Sequence, residues 1–193
     1  MRKIIALLTG IIGLTITLTA CKSDIPVPKP SLYLKHIFPK QEYQAIEPTC
    51  PYTFEVNKAY TIKDVNSPVA NTCHKEMDLG ILNGAMHFSY MRMTEPLSEY
   101  VNYINDKVEE HIVKASGKKI RDYVNPETKV YGTIFEIQGN VATPIQFYLT
   151  DSTNHFFSGV LYFNAVPNYD SLKTSIEYVN ADLEHMINTF KWK

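Results

Sequence analysis

Apolar and polar positions change period several times along this chain, and each change marks an element. In Cys50-Pro-Tyr-Thr-Phe-Glu-Val56 the residues Tyr52, Phe54 and Val56 alternate with Thr53 and Glu55, the period of a strand with one buried face. Ala59 to Val65 reads as a second strand, ended by Asn66-Ser67-Pro68. Met86 to Met93 alternates again with apolar residues on both sides, so both faces are expected to be partly covered. Between them, Cys73 to Gly84 shows no clear period, and Asn83-Gly84 marks a turn. The spacing of Leu97, Val101, Ile104, Val108, Ile112 and Ala115 then predicts a helix, with Thr94 as N-cap, Pro96 in the first turn and Gly117 at C′.

The second half is the most strand-like. Lys129 to Gln138 runs into the hairpin signal Gly139-Asn140 and returns as Thr143 to Thr150, with Pro144 at a tolerated strand start. Asp151-Ser-Thr-Asn154 is a polar turn, and His155 to Asn164 gives a third strand. Short connections make these three an antiparallel meander. Leu172, Ile176, Val179, Leu183, Met186 and Phe190 then step by four and three along a terminal helix, with Asn168 or Asp170 as N-cap. Strands, helix, meander and helix together predict an α+β fold, an antiparallel β-sheet covered by two long amphipathic helices. The element order is similar to that of the Mog1/PsbP-type sandwich, a likeness of layout that carries no function.

The N-terminus follows a different rule. Arg2 and Lys3 precede an uncharged apolar run from Ile4 to Leu18, the pattern of a secretory signal, and Leu18-Thr19-Ala20-Cys21 closes it in the form of a bacterial lipobox. The run is short of the roughly 20 apolar residues of a spanning helix. Residues 1–20 are therefore expected to be removed, leaving Cys21 to carry a lipid through its sulfur. Residues 21–31, with Pro26, Pro28 and Pro30, read as a proline-rich tether, and 32–193 as a single domain whose Leu32 to Phe38 is a candidate first strand or packing arm.

Charge narrows the function classes. The chain holds 19 basic and 20 acidic residues; removing Arg2 and Lys3 with the leader leaves 17 against 20, a net charge near −3 and no support for a nucleic-acid partner. With Cys21 assigned to lipid, Cys50 and Cys73 remain in an oxidising compartment. A disulfide between them would close 73 − 50 − 1 = 22 intervening residues, which the chain-entropy account values on the order of 3 kcal/mol. Two buried free thiols are the alternative, and neither cysteine sits in a metal-ligand spacing.

Catalytic signatures are sparse. The mature sequence holds no H-E-x-x-H, G-x-S-x-G, Walker or G-x-G-x-x-G motif, and its six histidines are scattered, so no metal site or cofactor is expected. Asp151, Ser152, Thr153, Asn154 and His155 bring an acid, a hydroxyl and an imidazole close together. A hydrolase reading makes Ser152 the nucleophile, but a triad needs geometry and an oxyanion hole, and the same composition suits a turn. As a functional loop, the stretch fits partner binding better than catalysis.

The residues now in hand resemble the Bacteroidetes gliding-motility lipoprotein GldD family. The resemblance rests on Cys50 to Val56, Asn83 to Tyr90 with its His-Phe-Ser-Tyr ending, Lys129-Val-Tyr-Gly-Thr133, Gly139-Asn140, Ile145 to Asn164 and Thr189-Phe-Lys-Trp-Lys193, together with the lipobox. His74 departs from the family's habit of an aromatic after the second cysteine. The resemblance implies a non-enzymatic lipoprotein of the cell envelope, needed for gliding motility and associated with the type IX secretion machinery, with membrane and motility proteins as partners. The roles it transfers are lipidation at Cys21 and the Cys50, Cys73 pair. The competing expectation is a periplasmic or surface protein that binds or hydrolyses envelope glycan or peptide.

Overall fold

The computed structural model describes residues 37–46, 49–65, 73–113 and 115–193. The signal peptide, Cys21, the tether and all but the last two residues of the expected Leu32 to Phe38 element lie outside them. His36–Lys193 form one compact unit.

Two antiparallel sheets make up this unit instead of the single sheet expected. β1 (Tyr43–Ile46), β2 (Tyr52–Asn57) and the C-terminal β10 (Lys191–Trp192) form a small sheet in the order β1-β2-β10. The larger sheet runs β3-β4-β5-β9-β8-β7-β6. Its strands are β3 (Thr61–Asp64), β4 (Lys75–Asp78), β5 (Gly84–Arg92), β6 (Ala115–Asn125), β7 (Val130–Gly139), β8 (Ile145–Thr150) and β9 (His155–Phe163). Helix α1 (Leu97–Ile112) joins β5 to β6, and α2 (Tyr169–Thr189) follows β9.

Alternation along the central strands separates two cores, since successive side chains leave opposite faces. One face supplies Phe88, Ile134, Phe147, Phe157 and Leu161, which share a core with Tyr52, Phe54 and Val56 of β2 and with Val179, Leu183, Met186 and Ile187 of α2. The other supplies Phe135, Ile137 and Phe156, packed with Ile104 and Val108, the two buried residues of α1. The larger face is thus shared between a helix and a second sheet.

Phe157 joins the layers of the larger core. Its ring centroid lies 4.8 Å from Tyr52, 5.3 Å from Phe88 and 5.2 Å from Phe190, the residue that follows α2. Gly159, one position further along the same face, makes room for the cluster: a Cβ there would stand 2.2 Å from Cε1 of Phe147, its register partner on β8.

A carboxylate fastens the N-terminal segment. Asp182 lies three residues after Val179 and four before Met186, on the buried stripe of α2, and is 4% exposed. Its Oδ1 accepts from Gln41 Nε2 and the Tyr43 hydroxyl, both at 2.9 Å, and its Oδ2 from Asn57 Nδ2 at 3.1 Å and the Tyr60 hydroxyl at 2.5 Å. Burial, then the bond to Asp182, raises the Tyr60 and Tyr43 phenols well above the usual value, so both stay protonated donors. Tyr178, one turn earlier, donates to the Pro39 carbonyl at 2.9 Å and stacks on Phe38. Buried polar groups satisfied in this way add rigidity instead of the cost of an orphaned atom.

Several local expectations need correction. Thr94 does not cap α1: Pro96 occupies the N-cap position, and the Tyr100 hydroxyl, one turn in, accepts from the Thr94 amide at 2.9 Å. The helix ends at Ile112, so Ala115 and Gly117 belong to β6. At α2, Asn168 is the N-cap, accepting from the Ser171 amide.

Phe157→Ala is expected to lower unfolding free energy by about 3–5 kcal/mol, as for other large core aromatics, read from the midpoint of chemical denaturation at unchanged slope. Asp182→Ala should orphan the buried Asn57 and Tyr60 donors, at about 1–3 kcal/mol for each group. Hydrogen exchange should accelerate in β1 and leave β8 and β9 protected; equal acceleration in both regions would count against a local fastening.

Candidate partner-binding loop

The Asp151 to His155 connection closes the β8–β9 hairpin, and one side chain shapes it. Asp151 Oδ1 accepts from the backbone amides of Thr153 at 3.0 Å and of Asn154 and His155, both at 2.8 Å, while Oδ2 accepts from the Thr153 hydroxyl at 3.0 Å. Ser152 takes the left-handed conformation, φ 69°, and its amide donates to Thr150 Oγ1 at 2.9 Å. A non-glycine residue there costs on the order of 1 kcal/mol, offset by the carboxylate's bonds. Partial burial pushes the Asp151 carboxyl upward, but the donors of His155, Asn154 and Thr153 outweigh it and hold the group at about 2.

Both titratable side chains of the loop have structural partners. The Asp151 oxygens are committed to the turn. His155 Nδ1 shares a 2.8 Å hydrogen bond with the Tyr90 hydroxyl, a diagonal contact between the pairs Tyr90↔Phe157 and Arg92↔His155, two positions apart. Among the described residues no hydrogen bond joins Ser152 to His155, and no cluster of three or more His, Cys, Asp or Glu is arranged to hold a metal ion.

What the fold does assemble is a polar tip beside an aromatic ledge. Ser152, Thr153 and Asn154 are exposed, and the His155 ring stacks on Trp192 at 5.1 Å and 15°. Trp192 Nε1 donates to the Lys129 carbonyl at 3.1 Å, and Lys129 also has a left-handed backbone, φ 53°. Trp192 reaches this end because β10 pairs with β2, Trp192 opposite Tyr52. Hydroxyls, an amide and flat ring faces on a held turn suit recognition of another surface. The loop was legible in the sequence; its neighbours Tyr90, Lys129 and Trp192 were not, because strand pairing across the whole chain brings them together.

Near the same end, Cys50 and Cys73 are joined in a disulfide with Cα atoms 5.7 Å apart, and the Tyr52 hydroxyl donates to the Cys73 carbonyl at 3.2 Å. The bridge ties the start of β2 to the start of β4, one strand from each sheet.

A family model described as gliding motility lipoprotein GldD matches residues 23–192 of this chain. No curated protein matches it. Among solved structures, the solution structure of cyanobacterial PsbP (CyanoP) from Synechocystis sp. PCC 6803 is similar at a TM-score of 0.47 and 12% identity, covering 86% of this chain and 100% of that one.

The turn makes a pH prediction. A carboxyl held below its usual value of 3.8 contributes stability that is complete above that value and is lost as pH falls toward about 2. Asp151→Ala should therefore cost about 1.5–3 kcal/mol at neutral pH, the range for hydrogen bonds to a charged group, and the gap from wild type should narrow between pH 4 and pH 2. A gap independent of pH would show that the ionised carboxylate is not what holds the turn.

Proposed function

Because this chain belongs to the gliding motility lipoprotein GldD family, we propose that it works as an anchored accessory or scaffold subunit of the motility apparatus, associated with the type IX secretion machinery. Membership makes it a membrane-anchored lipoprotein of the cell envelope with a part in gliding motility. The finer reading is ours: lipid on Cys21, the Asp151 to His155 tip as the contact with a partner, and a non-enzymatic role.

The family match over residues 23–192 carries this reading. The lipobox at Leu18 to Cys21 supports the anchor, and the commitment of Asp151 and His155 to structural bonds supports recognition over catalysis. Hydrolysis of envelope glycan or peptide would require Asp151 and His155 to leave those bonds.

Deletion of the gene in its own host should abolish surface spreading and reduce the cargo secreted by the type IX route. Wild type should restore both and Cys21→Ala neither. Ser152→Ala and Asn154→Ala, exposed substitutions that leave the carboxylate in place, should weaken spreading at unchanged protein level. Normal spreading with an unchanged secretome in the deletion strain would overturn the reading.

A further inference from the structure

Val65, Ile120 and Val124 are exposed elsewhere on this domain, but its most exposed aliphatics share one location. Among the described residues the three most exposed outside the N-terminal approach are Ile81 at 71%, Val113 at 88% and Val166 at 86%. All three sit on connections at one end of the larger sheet, opposite the Asp151 tip. Ile81 lies in the short 3-10 turn between β4 and β5, Val113 just after α1, and Val166 between β9 and α2. Asn83 and Asn164 bond to one another through Asn164 N to Asn83 O at 2.8 Å and Asn83 Nδ2 to Asn164 O at 3.1 Å, which brings the first and third connections together. Val113, Val141, Ala142 and Pro167 share one depression with the polar Glu110, His111 and Asn140, which brings in the second connection.

The chain arrives from the same direction. β1 starts at Tyr43, opposite Asn57, and the Lys58 amide donates to the Glu42 carbonyl at 2.8 Å. The next residue, Ala59, has its carbonyl 3.4 Å from where a Cβ of Gly80 would stand, beside Ile81. Ile37, 87% exposed, precedes this entry. Between Cys21 and Ile37 there are 37 − 21 − 1 = 15 residues, which reach at most about 50 Å when fully extended.

From the aliphatic loop tips and the entry of the chain at their end, we propose that this end of the domain rests on the bilayer that holds the lipid anchor, with Ile81, Val113 and Val166 dipping into the interface. The inference rests on the anchoring reading above. Among the described residues no helix is long and apolar enough to cross a membrane, so the contact is superficial. Side chains on single connections can enter the headgroup boundary without breaking backbone hydrogen bonds. Glu42 at this end is ion-paired with Lys40 and Lys58, and Glu110 with Lys107, so these carboxylates present no unbalanced charge to the headgroups. The opposite end, with Asp151, His155 and Trp192, then faces away from the membrane, where a partner can reach it.

The native tryptophan supplies an internal control, because Trp192 is the chain's single Trp and lies at the far end. Full-length lipidated protein carrying Val166→Trp, or separately Ile81→Trp, is reconstituted in vesicles of phosphatidylethanolamine and phosphatidylcholine with brominated acyl chains and floated on a density gradient. The introduced tryptophan should lose most of its emission, and the wild-type protein, reporting Trp192 alone, should keep its own. Flotation with both introduced tryptophans unquenched, or quenching of Trp192 to the same extent, overturns the orientation alone. A blue shift without quenching, the sign of burial against another protein copy, does so as well. Failure to float overturns the anchoring reading and this inference together.

Discussion

The contact between Phe157 and the rings of Tyr52 and Phe54 is what makes two sheets into one body. β2 contributes Tyr52, Phe54 and Val56 to the larger core, and β1 and β10 reach that core largely through it. Aromatic groups suit this junction because each removes a large apolar area from water while its edge-to-face geometry fixes an angle between layers. The requirement then spreads outward. Gly159 must lack a Cβ so that Phe147 can lie over it, α2 must end at Thr189 so that the ring of Phe190 meets Phe157, and the final residues must turn back along β2.

The parts of this fold legible in the sequence are those where one face is buried and the other wet. β2, the meander and the stripe of α2 announce themselves because burial imposes a period on them. β6 does not. It is the edge strand of the larger sheet, bonded to β7 on one side only, and Ile120 and Val124 are 51% and 66% exposed. One face is only partly buried, as where Tyr123 packs against the larger core, so Ser-Gly-Lys-Lys-Ile-Arg carries no strand period, and its pairing with β7 supplies the order that propensity lacks. β1 and β4 are four residues each, too short for alternation to register. Asp182 did leave a trace, an acid spaced three from Val179 and four from Met186 in an apolar stripe, but its donors come from Gln41, Tyr43, Asn57 and Tyr60, which no local pattern connects to it.

The site divides in the same way. Residue types at 151–155 pointed to a turn with chemical groups, and the structure shows why composition alone could support two readings. The atoms that qualify Asp151 as a catalytic acid also qualify it to gather three amides, and only the placement of those amides separates the roles. The aromatic ledge beside it depends on β10, a strand of two residues that exists because β2 offers an open edge.

The fastening of residues 37–46 bears on how this domain carries load. Were the domain loaded through its N-terminal segment, the pull would enter at Ile37 and run along β1. Because that strand lies antiparallel to β2 over Tyr43↔Asn57 to Ile46↔Phe54, tension along it loads the ladder in shear, so its bonds share the force instead of parting one by one. The Asp182 carboxylate grips Gln41 and Tyr43 ahead of the ladder, and Tyr178 grips Pro39 ahead of that. Helix α2 would then act as a cleat, taking up such a pull before it reached the larger sheet.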